Sequence, residues 1–116
     1  MIKKNFLKKP EDIKEMFRWD YADACFATDR ILVDGCKVGY MYREQPDNDL
    51  DSGWRFFSGD ESDEYANNLD NVGIYALNTI ANYDPDIIPL LYSDYGSAFF
   101  RDNDGTFQQE DFNPPE

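Results

Sequence analysis

Two clusters of carboxylates flank a short aromatic segment near the middle of the chain, and their residue types and spacing could do chemistry. The first cluster places an acid at every second position, and the second contains two adjacent acid pairs. The candidate residues are Asp47, Asp49, Asp51, Asp60, Glu61, Asp63 and Glu64. Carboxylates arranged in this way could coordinate a hard cation, act as a general acid and base, or attract a basic partner.

The first cluster does not meet the requirements of an EF-hand calcium loop. Such a loop needs glycine at its sixth position and glutamate at its twelfth, and these positions hold Ser52 and Ser58. The acidic turn at 102–105 fails the same test and is better explained as a hairpin turn. We therefore expect no metal site, while an irregular calcium site built from several converging carboxylates stays open as an alternative.

The acid pairs of the second cluster would serve a hydrolase only if two carboxylates faced each other across a cleft and burial raised the pKa of one. The chain contains no histidine, which excludes a Ser-His-Asp triad, a Cys/His nucleophile pair and any zinc site that uses histidine. It also lacks a glycine-rich phosphate loop. We therefore expect no enzymatic activity, no catalytic residue and no cofactor, and we keep a small carboxylate-dependent hydrolase as the alternative.

The charge of the chain is strongly acidic and unevenly distributed. The net charge is −13, from 24 acids and 11 bases, yet residues 1–18 hold six bases and only three acids. An acidic body repels phosphate, so neither nucleic acid nor an anionic membrane is expected as a partner. Acidity alone also favours solubility. The more specific interpretation is electrostatic steering toward a basic protein.

The remaining composition indicates a cytoplasmic protein with reduced thiols. Cys25 and Cys36 lie in apolar, strand-like stretches, and two cysteines are too few for a disulfide scaffold in a chain of this length. The basic N-terminus has no apolar core of the kind that a secretory signal needs. No apolar run is long enough to span a membrane.

The helices and strands predicted around the acids indicate an α+β domain. Its sheet is expected to be mainly antiparallel with about five strands, and short helices pack on it. One domain is expected over 1–116, with a basic leader at 1–9 and a frayed tail at 113–116. Helices are predicted at 10–17 and 84–91, and one or two helical turns at 62–68. Strand-like segments are 24–27, 31–33, 36–43, 54–57, 74–77, 97–101 and 106–108.

Turns and side-chain alternation add detail to this prediction. Asp34-Gly35 and Asn103-Asp104-Gly105 each indicate a hairpin, since these residue types tolerate positive φ. Gly39 interrupts a strand, which indicates a bulge or the close approach of another element. Trp54 is expected to face the core. Arg55 then faces the other side, where Asp51 or Glu44 could pair with it.

Several of these segments resemble one known family. The runs from Asp29 to Glu44 and from Asp51 to Glu61 are similar to a bacterial family of domains of unknown function that is grouped with the immunity proteins of polymorphic toxin systems, the immunity protein thirty-three family. Asn82-Tyr83-Asp84-Pro85 and Gly96-Ser97-Ala98-Phe99 belong to the same resemblance. It covers most of residues 23–102.

The resemblance implies that the protein binds and neutralises a toxin made by the same or a competing cell. A toxin that acts on nucleic acid has a basic surface, which an acidic inhibitor can cover. We therefore predict that the seven acids of the two clusters contact a cognate, basic protein toxin. A housekeeping protein-binding domain with no toxin partner is a further alternative, and the oligomeric state stays open.

Overall fold

The computed structural model describes residues 4–111, and a single six-stranded sheet organises them. The strands are β1 (Ala24–Thr28), β2 (Tyr40–Arg43), β3 (Asp51–Phe57), β4 (Val72–Ala76), β5 (Ser97–Arg101) and β6 (Phe107–Asp111). Their order across the sheet is β4-β1-β3-β2-β5-β6. β1 and β3 are parallel, and the other neighbours are antiparallel. The predicted α+β class is confirmed, with one strand more than expected.

The helical segments of residues 4–111 are short. The α-helices are α1 (Asp29–Leu32), α2 (Asp63–Asn67) and α3 (Leu77–Tyr83), and 3₁₀ turns occupy Pro10–Asp12, Leu69–Asn71 and Pro85–Leu90. The turn at 62–68 is confirmed, because Ser62 Oγ accepts a hydrogen bond from Tyr65 N. The segment 84–91 is a 3₁₀ turn, and Asp84 caps it as expected by accepting from Asp86 N.

The predicted helix at 10–17 is wrong beyond its first turn. After Pro10–Asp12 the chain is not helical, because the polar groups of its backbone find partners on α3 instead. Met16 N donates to Asn78 Oδ1 at 2.7 Å, and Lys14 O accepts from the side-chain amides of Asn78 and Asn82. These bonds replace the backbone hydrogen bonds that a helix would make.

The hairpin predicted at Asp34-Gly35 is also wrong, because the residues before it form a helix rather than a strand. Ile31 and Leu32 are buried in α1. Gly35 has φ +78°, and Gly35 N and Cys36 N donate to carbonyls of the α1 region. A glycine in the left-handed region is a common helix C-terminus. The second hairpin, at Asn103-Asp104-Gly105, is confirmed and joins β5 to β6.

The core lies between one face of the sheet and the layer formed by α1, α3 and the turn at Pro85–Leu90. Trp54 and Phe56 of β3 are fully buried there, as the alternation along the strand predicted. The segment near 74–77 begins as β4 and continues as α3, whose Leu77 and Ile80 join the core. Cys25 is buried, Cys36 is half-buried, and both are free thiols.

The described part of the basic leader, residues 4–9, contacts the domain at several points. Lys4 Nζ lies 2.8 Å from Asp29 Oδ1. Leu7 N donates to Leu32 O at 2.8 Å, and Lys8 N donates to Tyr83 Oη at 2.9 Å. The predicted frayed tail at 113–116 lies outside the described residues.

The close approach predicted at Gly39 is present. Gly39 N donates to Phe57 O at 2.9 Å, and a Cβ at this position would lie 2.0 Å from the carbonyl oxygen of Ser58. We expect Gly39→Ala to lower the free energy of unfolding by about 1–3 kcal/mol, because the backbone of the loop after β3 must move. Urea denaturation measures this change.

Gly105→Asn is the matched control for Gly39→Ala. A Cβ at Gly105 meets nothing within 4 Å, and asparagine tolerates the positive φ found there. A change below about 1 kcal/mol is expected for this variant. If Gly39→Ala were as stable as Gly105→Asn, the close contact with Ser58 would not restrict this position.

Candidate functional site

The two carboxylate clusters lie at the two ends of strand β3. The first cluster precedes the strand and includes its first residue, Asp51, whereas the second follows Phe57. An extended strand of this length separates its ends by about 20 Å. The two clusters therefore belong to two separate loops at the edges of one surface.

Asp51 is engaged inside the protein. Its carboxylate forms a bidentate ion pair with Arg55, with N–O distances of 2.9 and 2.8 Å, and also accepts from Asp47 N and Gly53 N. Burial alone would raise the pKa of Asp51, but the hydrogen bonds from Arg55, Asp47 and Gly53 outweigh it and lower the pKa to about 2. The Asp51 carboxylate therefore stays ionised and holds the loop in place.

Arg55 connects this loop to the outer face of the sheet, which is the face opposite the core. Its Nε lies 2.6 Å from Glu44 Oε2, so Arg55 pairs with both predicted partners. Asp47 is a weaker third partner at 3.7 Å. The guanidinium lies 4.3 Å from the centre of the Phe26 ring. A buried arginine is stable here because carboxylates and an aromatic ring surround it.

In the second cluster, Glu61 closes its own loop. Its carboxylate accepts from Ser58 N at 2.8 Å, Gly59 N at 2.9 Å and Thr28 Oγ1 at 2.5 Å. Partial burial opposes ionisation, but the hydrogen bonds from Thr28, Ser58 and Gly59 prevail and hold the pKa of Glu61 below its usual range. Glu61 therefore ties the loop after β3 to β1 and remains charged.

Asp60 is exposed and pairs with Arg30, which also pairs with Asp34. Hydrogen bonds from Arg30 and from Ser58 Oγ lower the pKa of Asp60 to about 2. Asp60 is thus a fixed negative charge at the surface.

Five of the seven predicted acids present their side chains to solvent. They are Asp47, Asp49, Asp60, Asp63 and Glu64. Asp63 and Glu64 occupy the first turn of α2. The exposed acids therefore form two groups, one at each end of β3, while Asp51 and Glu61 hold the loops that carry them.

Between the two groups lies an aromatic surface that sequence reasoning did not single out. Tyr40, Tyr42 and Phe57 are half-buried on the outer face, with ring centres 5.9–6.2 Å apart, and Tyr42 stacks on Phe57 at an interplanar angle of 14°. Phe100 on β5 and Ile74 on β4 are also exposed, by 38% and 67%. The helices α1 and α3 cover the opposite face. The signal in the sequence was the alternation of Tyr40 and Tyr42 around Met41.

Neither a metal site nor a membrane span is found in the part of the chain that the structure describes. Within residues 4–111, no group of three or more histidine, cysteine, aspartate or glutamate side chains is placed to hold a metal ion. No helix in this range is long and apolar enough to cross a bilayer.

The comparison with protein families gives one match. A family model described as "Immunity protein Imm33 domain" matches residues 25–111, which is three quarters of the chain and includes nearly the whole sheet. The comparisons with curated proteins and with solved structures found no match. Because the family model covers far more than half of the chain, the chain belongs to the Imm33 family of immunity protein domains.

Proposed function

We propose that this protein is a cytoplasmic immunity protein that binds and neutralises a cognate, basic protein toxin. The observation that carries the proposal is the pair of exposed acidic groups at the two ends of β3, inside the stretch that the immunity family model matches. They belong to a chain with a net charge of −13. An acidic inhibitor can cover a basic surface that a toxin uses to hold phosphate, and it thereby blocks access to the target.

The exposed acids are the proposed contacts, and the internal acids position them. Asp47 and Asp49 stand on the loop that Asp51 fixes, whereas Asp63 and Glu64 stand on the helix that follows the loop closed by Glu61. Loops held by several hydrogen bonds lose little conformational entropy when a partner binds. The charge is therefore presented on a preorganised surface.

The alternative of a carboxylate-dependent hydrolase requires a pocket with a buried acid whose pKa is raised. Among residues 4–111 the buried carboxylates are Asp51 and Asp84. Each lies within 3 Å of an arginine nitrogen, on Arg55 and Arg101 respectively. A cavity of about 770 Å³ beside Tyr40 has one carboxylate in its described lining, that of the exposed Asp60. These contacts support a binding role over hydrolysis.

A fourfold charge reversal tests the proposed function. The variant Asp47→Lys, Asp49→Lys, Asp63→Lys, Glu64→Lys changes exposed acids only and leaves Asp51, Asp60 and Glu61 in place. We expect its association with the toxin, recovered from the native cell, to slow by about tenfold or more at low salt, since steering raises association rates by 10–10³. The slowing should shrink as salt rises. Surface plasmon resonance at several ionic strengths measures it.

The matched control reverses four exposed acids elsewhere, Glu11, Glu15, Asp94 and Asp104, and so changes the net charge equally. Cells that express the toxin should lose protection with the first variant and keep it with the control. Equal effects of the two variants would mean that total charge matters and the two loops do not. Unchanged binding with both would contradict steering by charge altogether.

A further inference from the structure

A small cavity opens on the outer face of the sheet, at the end of the aromatic surface nearest α2. Its volume is about 250 Å³, and its described lining is Tyr40, Tyr42, Phe57, Gly59, Glu61, Asp63 and Ala66. We call it the aromatic–acidic pocket. Its rings come from β2 and β3, and its carboxylates come from the loop after β3 and from α2. It therefore lies beside the second acidic group, at the end of β3 that leads to α2.

The three rings of the pocket form one continuous aromatic surface. Tyr42 and Phe57 are stacked at 5.9 Å, and Tyr40 lies 5.9 Å from Tyr42 and 6.2 Å from Phe57. Tyrosine and other aromatic side chains offer a large contact area at a low cost in conformational entropy. Such a surface is suited to a flat group that can lie against the rings.

The charge of the pocket is negative. Glu61 is held ionised by its hydrogen bonds, and Asp63 is exposed beside it. The described lining residues include no lysine or arginine. Arg55 lies opposite Tyr42 on the same face, but Asp51 and Glu44 already neutralise it. The pocket thus complements a cation that the described lining does not supply.

Elsewhere in this protein, aromatic rings contact the guanidinium groups of arginine side chains. Arg55, Arg43 and Arg101 lie 4.3, 4.4 and 4.2 Å from the centres of the Phe26, Tyr95 and Phe107 rings. Arg55 and Arg101 also pair with carboxylates, while Arg43 donates to the carbonyl oxygens of Ser52 and Ser93. In this fold, a guanidinium is repeatedly held by an aromatic ring together with oxygen acceptors. The aromatic–acidic pocket also combines aromatic rings with carboxylates.

We propose that the aromatic–acidic pocket receives an arginine side chain of the basic partner, with the guanidinium against the Tyr42 and Phe57 rings and facing Asp63. This inference rests on the proposed function and deepens it, because it names the group of the toxin that is recognised. Arginine fits better than lysine, since its planar guanidinium stacks on rings and donates two parallel hydrogen bonds to one carboxylate.

Titration with N-acetyl-arginine amide, followed by ¹H–¹⁵N NMR, tests the pocket directly. We expect saturable changes in the amide chemical shifts of the lining residues. The amide signals of Gly59 and Ala66 serve as reporters, because neither residue carries a long side chain. N-acetyl-citrulline amide has nearly the same shape without the charge and should cause no such shifts. N-acetyl-lysine amide should bind at least about twofold more weakly, because it lacks the planar fork.

Two variants separate the contributions of charge and ring. Asp63→Asn removes an exposed charge, and Tyr42→Leu replaces a ring by an apolar side chain; each should weaken binding of the arginine probe about threefold. Asp70→Asn, an exposed acid on the neighbouring 3₁₀ turn, is the matched control and should change nothing. Asp63→Asn keeps the proposal testable if Tyr42→Leu fails to fold.

The outcomes distinguish this inference from the function on which it rests. The proposed arginine site would be contradicted by equal chemical-shift changes with the citrulline probe or by changes spread over other acidic surfaces. Undiminished binding of the arginine probe by both variants would also contradict it. If the toxin still bound the wild type but not the charge-reversed protein, the proposed function would stand. Specific arginine binding by a wild-type protein that does not protect cells from the basic proteins it captures would support the pocket and contradict the proposed function.

Discussion

Replacing Trp54 with alanine is expected to lower the free energy of unfolding by about 3–5 kcal/mol. The side chain is fully buried at the centre of the core, with its ring centre 6.0 Å from that of Phe56 and 6.4 Å from that of Phe99. Its indole Nε1 donates to Leu91 O at 3.1 Å. The substitution leaves a cavity and removes the hydrogen-bond donor of a buried carbonyl group, and both effects destabilise the folded state.

Circular dichroism during urea denaturation measures the effect of Trp54→Ala without relying on tryptophan fluorescence. A domain of this size has a total stability of about 5–15 kcal/mol, so the variant is expected to be marginal at 37 °C. Leu69→Ala is the control, because Leu69 is 85% exposed and its removal should change stability by less than about 0.5 kcal/mol. Similar midpoints for the two variants would show that Trp54 does not support the core.

Replacing Arg55 with methionine is expected to destabilise the protein by about 3–5 kcal/mol, because it leaves the Asp51 carboxylate buried without its counter-ion. The side chains of the pair are 4% and 6% exposed, so water cannot take the place of the arginine. The double variant Asp51→Asn, Arg55→Met removes both charges. It should be more stable than Arg55→Met alone, because an unpaired buried charge costs more than a neutral amide at the same site.

The dependence on pH follows from the lowered pKa of Asp51. A carboxylate whose pKa is lower in the folded state stabilises the fold above its unfolded pKa, and that contribution disappears as the pH falls through the folded pKa. The contribution of Asp51 should therefore be complete above about pH 4 and disappear toward about pH 2. The difference in stability between wild type and Arg55→Met should shrink as the pH falls toward about 2, because protonation of Asp51 removes the charge that Arg55 compensates. A constant difference would mean that Asp51 is not the charge that Arg55 compensates.

Short-range signals predicted the parts of this fold that short-range interactions determine. The cap at Ser62, the cap at Asp84 and the turn at Asn103-Asp104-Gly105 each depend on atoms a few residues apart. Alternation placed Trp54 inward and Arg55 outward, and nearby carboxylates identified the partners of Arg55. In each of these cases, the donors and acceptors that determine the structure are close together in the sequence.

The errors arose where distant residues decide the structure. Asn78 and Asn82 bind the backbone of the segment after Pro10–Asp12, and nothing near that segment reveals them. Asp34-Gly35 suits a hairpin and a helix C-terminus equally well, and burial of Ile31 and Leu32 against distant parts of the core favours the helix. The outer aromatic surface could not be predicted because β2 has Tyr40 and Tyr42 on one face and Met41 and Arg43 on the other. This pattern favours burial of the two tyrosines, whereas the structure buries Met41.

The order of strands also determines when the sheet can be completed during synthesis. β1 leaves the ribosome before both of its neighbours in the sheet, β3 and β4, which follow it in the chain. Its pairing with β3 is parallel and closes a long loop, and non-local pairing of this kind slows folding. β1 therefore stays without its sheet partners until β3 and β4 have emerged, so a nascent chain that stalls before Asp51 would expose unpaired strand edges to aggregation.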